Sequence, residues 1–224
     1  MRLVTRRMLP LETSFAFVGG AVVPLLVDQP DLTEFRPTKD VDLVTQVVTL
    51  AEFYAFEEKL RRAGFRHDHS DGAPLCRWVV DECRVDIMPV DSSYLGMNSR
   101  WFPQALEFSN LADLGDGVTA RIINAPFFIA TKLEAYRDRG KGDIQASHDI
   151  EDIITLIDGS STIVEQVDAA PDDARHYISR ELVAWQKTGS FIDELAGHLS
   201  PISQASGRTS IVIDRITSIA HLAT

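Results

Sequence analysis

Apolar and polar positions change period several times along this chain, and each change predicts an element. Ser14–Val18 is an almost unbroken apolar run, the pattern of a short buried strand, and Gly19-Gly20 ends it. At Asp40–Val44 polar and apolar residues alternate instead, which predicts a strand with Asp40 and Asp42 on one face and Val41 and Leu43 on the other. Leu50–Ala63 then shifts to helical spacing, with Phe53, Phe56, Leu60 and Ala63 on one side and Gly64 as a stop. Between these lie Ala21–Val27, which predicts a helix with Pro24 in its first turn, and Asp28–Pro37, a polar loop bounded by prolines.

Two further strands, LCRWVV and CRVDIMPV, fill Pro74–Val90, and Asp81-Glu82 joins them as a two-residue hairpin, although Asp-Glu is not the preferred turn pair. Beyond Asn124 the period is helical throughout. Pro126–Arg139 repeats Phe128, Ile129, Lys132, Leu133 and Tyr136 at three- and four-residue steps, and Gly140 and Gly142 break it. Ser147 reads as an N-cap before Ile150, Ile153, Ile154 and Ile157, with Gly159 as the stop. Two or three helices fit Ser160–Leu199, and another fits Arg208–Leu222. The expected architecture is α+β: a small mixed β-sheet with flanking helices over residues 1–123, then a helical part over 124–224, with a site in the cleft between them.

Composition narrows the function more than the fold. The 224 residues are 45% hydrophobic and 25% charged, as in an ordinary water-soluble protein, with a net charge of −11. That balance argues against a broad nucleic-acid-coating surface. A local basic groove built from Arg61, Arg62, Arg66, Arg137, Arg139 and Lys141 stays compatible with it. Cys76 and Cys83 would not face each other in a tight hairpin, so reduced thiols in a cytoplasmic protein are expected. Arg2, Arg6 and Arg7 ahead of an apolar run faintly mimic a signal peptide, but Glu12, the glycine pair and Pro24 interrupt it. No stretch approaches the roughly 20 apolar residues of a membrane span.

The candidate chemistry lies in the aspartates. Asp40 and Asp42 repel each other unless a cation sits beside them. Asp86, flanked by Val85 and Ile87, leaves its strand on the face opposite those two, giving a third carboxylate. Three hard oxygen donors on one sheet face suit Mg²⁺, and two such ions can clamp the attacking and leaving oxygens of a phosphoryl or nucleotidyl displacement. A strand–Gly-Gly–helix turn complements them, because its backbone N–H groups can approach a phosphate.

Together, VGGAVVPLL and RPTKDVDLV resemble the GG … R-x-T-x-D-[I/V/L]-D signature of the polymerase-β-type nucleotidyltransferases, and more narrowly the AbiEii/AbiGii toxins to which the MenT-type toxins are related. IATKLEAYRDRGKGD followed by SHDIEDIITLI is similar to that family's K-L-x-A-x-x-x-R … K-D-x-x-D-[I/L] region. The matches run from Phe15 to Ile157 and leave the C-terminal third unassigned. The resemblance implies a nucleotidyltransferase core at 1–123 and a helical domain completing the cleft. It implies that Gly19 and Gly20 hold an NTP, that Asp40 and Asp42 bind Mg²⁺, and that Asp86 completes the metal site or helps deprotonate the attacking hydroxyl. Lys132 would contact the nucleotide's phosphates, Asp149 would be the acid of the helical region, and Arg36 and Thr38 would brace the loop before the carboxylates.

The acceptor it implies is the 3′ end of a tRNA or a protein hydroxyl, in the toxin of a toxin–antitoxin or phage-defence pair, with an antitoxin protein as possible partner. Two other readings stand beside it: transfer to a small molecule such as an aminoglycoside, and an inactive nucleotide-binding relative. The chain departs from the pattern at Ala21, where the superfamily often offers Ser near the phosphates, and at His148-Asp149, where K-D is expected, so Asp152 competes with Asp149. Carboxylates at 149, 151 and 152 are also what a helix dipole favours behind an N-cap, and Lys132 alone reads as the edge of an amphipathic helix. His67 and His69 bracket Asp68 without the further ligands of a zinc site, and Trp78 and Trp101 read as core.

Overall fold

The computed structural model describes residues 1–91, 93, 100–139 and 144–222. Gly140 and Gly142, the expected helix breakers, and Lys141 of the suggested basic groove lie outside the described residues. The chain forms two compact units, one of Met1–Val22 with Pro37–Asn124 and one of Val23–Arg36 with Ala125–Thr224. The stretch 23–36, which the sequence pattern leaves on the N-terminal side, groups with the helices.

The first unit is built on a seven-stranded mixed sheet. Its strands are β1 (Phe15–Val18), β2 (Asp40–Thr45), β3 (Arg66–His67), β4 (Arg77–Val80), β5 (Cys83–Pro89), β6 (Asn110–Asp113) and β7 (Thr119–Ile122), in the order β3-β4-β5-β2-β1-β7-β6. β2 pairs with β5 and β1 with β7 in parallel, and the other neighbours are antiparallel. Helices α1 (Arg2–Met8), α3 (Leu50–Arg62) and α4 (Phe102–Glu107) complete it. The arginine-bearing start is thus a helix with Val4 and Met8 buried. The β6–β7 hairpin was not legible as such, because Leu111 and other residues of β6 are exposed and leave no apolar pattern.

One face of this sheet is core. Val41, Val85 and Trp78 stand in one cross-strand row and Leu43 and Ile87 in the next, and all except Val41 are fully buried. α3 buries Phe53, Phe56 and Leu60, as its spacing requires. It starts at a capping box, in which Thr49 Oγ accepts from Glu52 N at 3.2 Å and Glu52 accepts from Thr49 N at 3.0 Å. The two hairpin residues Asp81 and Glu82 both have positive φ, 44° and 67°, the geometry that matches strand twist. Aspartate tolerates it and glutamate less so; Arg7 holds Asp81 in place with bonds of 3.1 and 2.7 Å.

The second unit is helical: α2 (Val23–Leu26), α5 (Ala125–Arg139), α6 (His148–Gly159), α7 (Ile163–Asp168), α8 (Asp172–Gln186), α9 (Phe191–His198), α10 (Pro201–Ala205) and α11 (Thr209–Ala220). α5 packs against α6, α7 and α8, and α11 against α6, α7, α8 and α9. Ile150, Ile153, Ile154 and Ile157 are all buried, and Ser147 Oγ caps Ile150 N. Gly159 does more than stop α6. A Cβ there would lie 2.7 Å from Val27 Cγ1, so glycine lets the 23–36 stretch approach closely. The N–H groups of Asp28 and Gln29 both donate to Gly159 O at 3.1 and 3.0 Å, which anchors that stretch to the helix end. Buried Asp158 accepts from Arg208 Nε at 2.6 Å, and Ser203 Oγ donates to Leu32 O at 3.0 Å.

Candidate active site

In the sheet unit, strand register decides what meets what. Val18, Asp42, Asp86 and Arg77 occupy one cross-strand row on β1, β2, β5 and β4, so Asp42 and Asp86 are direct neighbours on one face. Asp40 lies on the same face two residues earlier, opposite Arg84. The three aspartates expected from alternation are therefore side by side, on the face opposite the Trp78–Val85–Val41 row.

Gly19 is fitted to Asp42. Its φ is +69°, and a Cβ built on it would fall 1.9 Å from Asp42 Oδ2. No side chain fits there, so the carboxylate of Asp42 rests directly against the glycine backbone. Gly20 opens a 3₁₀ turn, Gly20–Val22, in which Val22 N donates to Gly19 O at 3.4 Å. A turn this short carries little of the dipole that a long helix would offer a phosphate, so an anion held here depends on the backbone N–H groups themselves. Thr38 is exposed on the stretch leading into β2.

Arg77 answers the repulsion among the acids. Its Nε donates to Asp86 Oδ1 at 2.7 Å, and its Nη2 donates to Asp86 Oδ2 at 2.8 Å and Asp40 Oδ2 at 2.7 Å. The hydrogen bonds to Asp86, followed by the charges of Asp86 and Asp40, outweigh partial burial and raise the guanidinium's already high pKa. Sequence reasoning passed over this residue. Counting outward from the two-residue turn (80 with 83, 79 with 84, 78 with 85) would have placed Arg77 opposite Asp86. Buried Cys76 feels the same acids: burial first, then the charges of Asp86 and Asp42, push its thiol up to about 12. Both cysteines are free thiols.

The residues present suit a hard divalent cation in kind. All three donors are carboxylates, two of them in register on adjacent strands, and the site already accommodates a positive group between Asp40 and Asp86. Among the described residues no three His, Cys, Asp or Glu side chains are drawn together as a metal cage. The oxygens of Asp40 and Asp86 are instead turned onto the guanidinium.

The helical unit gathers the other candidates. Lys132 Nζ donates to Asp152 Oδ2 at 2.7 Å and Asp149 Oδ1 at 3.1 Å. Both acids left open by the sequence thus hold the same ammonium. Arg139 Nη2 adds bonds of 2.9 and 2.7 Å to Asp149, and Arg36 reaches Asp152 and Glu151 at 3.4 Å. Lys132, expected at the edge of its helix, is only 12% exposed. Burial works against its charge, but Asp152 and then Asp149 overcome that and raise its pKa. Arg36 and Arg139 belong to this network too, a grouping that no local spacing announces.

Comparison with known proteins points to the fold. No protein-family model matches the chain, and no curated protein matches it. Among solved structures it is similar to an antigenic nucleotidyltransferase-like protein from Paracoccidioides brasiliensis, with a TM-score of 0.51 and 20% identity over 96% of this chain and 90% of that one. A putative nucleotidyltransferase from H. pylori aligns over 100% of this chain and 89% of its own, at 12% identity and a TM-score of 0.44. The first likeness shows that the α+β fold expected from the sequence is also that of a nucleotidyltransferase-like protein.

Proposed function

We propose that this protein is a Mg²⁺-dependent nucleotidyltransferase that moves a nucleoside monophosphate from an NTP to an acceptor hydroxyl and releases pyrophosphate. The observation that carries the reading is the contact between Gly19 and Asp42, beside an in-register Asp86. It sets a glycine turn against Asp42, whose cross-strand neighbour is Asp86.

Asp40, Asp42 and Asp86 would hold the Mg²⁺, which supplies charge neutralisation at the phosphates when bound. The backbone N–H groups at Gly19-Gly20 would orient the triphosphate, where any side chain at 19 would displace Asp42. In the transfer, the acceptor oxygen bonds to the α-phosphorus as the bond to the pyrophosphate oxygen breaks. The hydroxyl proton passes to a carboxylate, assigned here to Asp86, and then to solvent. Catalysis is mostly positioning and electrostatics. Lys132 is assigned to the triphosphate and Asp149 to the helical acid by the family resemblance. Their mutual ion pair keeps Lys132 charged for that role.

The resemblance to AbiEii/MenT-type toxins favours a tRNA 3′ end or a protein hydroxyl as acceptor, with an antitoxin as partner. The charge of −11 favours a cationic small acceptor such as an amino sugar as the second reading. Incubation with each α-labelled NTP, Mg²⁺, and total tRNA, cell extract or an aminoglycoside separates them. Label on RNA, on a protein band or on the amino sugar identifies the acceptor. Label on none of them, with no pyrophosphate released, overturns the proposal.

A further inference from the structure

We propose that Arg77 is a tethered cation that competes with the divalent ion for Asp40 and Asp86, so that metal entry requires its guanidinium to let go. The inference rests on the metal-dependent transfer proposed above and goes beyond it, because it concerns what fills the acid cluster before the metal arrives.

Three observations support it. The guanidinium takes both oxygens of Asp86 and one of Asp40, at 2.7–2.8 Å, in the forked geometry that makes such pairs strong. It sits directly opposite Asp86 in the β4–β5 register, so it is held there by the hairpin rather than by a mobile loop. It is also only 20% exposed, which limits screening by water. A Mg²⁺ ion binds carboxylate oxygen at about 2 Å in strict octahedral geometry, so it competes with the N–H donors for the lone pairs that they occupy. The charges also repel. Arg77 therefore keeps the acids from repelling one another in the metal-free protein, and lowers metal affinity by the same contacts.

The test is a Mn²⁺ titration of the full chain, followed by the paramagnetic resonance signal of the free ion, with the melting temperature read with and without Mn²⁺. Arg77→Gln should bind Mn²⁺ about tenfold more tightly than the unaltered protein, the scale of losing charge-assisted hydrogen bonds to a competitor. It should also gain more in melting temperature from the metal. Arg77→Lys keeps a charge but loses the fork, and should fall between the two; it also serves if Arg77→Gln does not fold. Asp42→Asn, which alters a metal donor outside the pairs given above for Arg77, should weaken binding. Equal or weaker Mn²⁺ affinity in folded Arg77 variants, with Asp42→Asn still weakening it, overturns the competition while leaving the metal site standing. No Mn²⁺ binding by any variant overturns both.

Discussion

The two charged clusters of this protein differ in how they are balanced. In the helical unit, Lys132, Arg139 and Arg36 meet Asp149, Asp152 and Glu151, three cations for three acids, with Lys132 mostly buried. In the sheet unit, three aspartates share a face, Arg77 spans two of them, and Asp40 is 33% exposed. The helical network is costliest to break at its centre, where removing Lys132, Asp149 or Asp152 leaves a charge largely shielded from water. The acid face beside the glycine turn instead sets three carboxylates against the one guanidinium of Arg77, the charge surplus that the proposed cation would balance. Under the proposed function, substitutions of the same residue types should weigh more on stability in one place and more on transfer in the other.

The largest effect that tests this contrast is on transfer. Asp42→Asn should lower nucleotidyl transfer by roughly a hundredfold to a thousandfold, the scale of losing one preorganised charge-stabilising group, and leave the melting temperature nearly unchanged. Asp149→Asn should lower transfer less and melting more, because it takes one oxygen charge from Lys132 and Arg139. Assays with labelled NTP and thermal melts on both variants decide it; the reverse order would exchange the roles of the two clusters.

Stability comes next. Lys132→Met leaves Asp149 and Asp152 without their shared ammonium and should cost about 3–5 kcal/mol in a denaturant titration, as for a broken buried pair. Arg77→Gln, on the more open face, should cost only about 1–2 kcal/mol, and added Mg²⁺ should restore part of that. If Mg²⁺ rescues Lys132→Met instead, the sheet acids are not the metal site.

The glycines give a smaller version of the same contrast. Gly19→Ala meets a carboxylate oxygen at 1.9 Å and requires a strained positive φ, so it should cost about 1–3 kcal/mol and suppress transfer as well. Gly159→Ala meets Val27 and should cost about the same by overpacking, with transfer per folded molecule unchanged. Comparison of specific activity after correction for the folded fraction separates them.

The smallest effect is chemical. Cys83 is half-buried and Cys76 is buried, with its thiol pushed up to about 12. At pH 8–9 a thiol reagent should label one site in the native chain and two in denaturant, with mass spectrometry identifying Cys83 as the first. Because the folded Cys76 pKa lies above its ordinary value of 9.0, its contribution to stability is complete below that pH. It declines as pH rises toward 12, where the unfolded chain ionises first.

Much of the sheet unit was readable because its information is local. Alternation in DVDLV and VDIMPV set which carboxylates share a face, and helical spacing with Thr49 and Glu52 set where α3 begins. The hairpin turn formed although Asp-Glu is a poor pair for it, since cross-strand packing of Trp78 on Val85 outweighs a local preference. What stayed hidden depends on register or on partners far along the chain. Arg77 looked like one more residue of a strand until pairing set it against Asp86. Arg36 lies 116 positions from the Asp152 it meets.

By itself, then, the sequence determined the periods of the elements and the face of each aspartate, because backbone geometry fixes these within a few residues. Tertiary structure alone decided that the 23–36 stretch joins the helices at Gly159, that Lys132 sits between two acids, and that Asp42 rests on Gly19. Those outcomes are set by which surfaces exclude water together, and no short window of the chain records that.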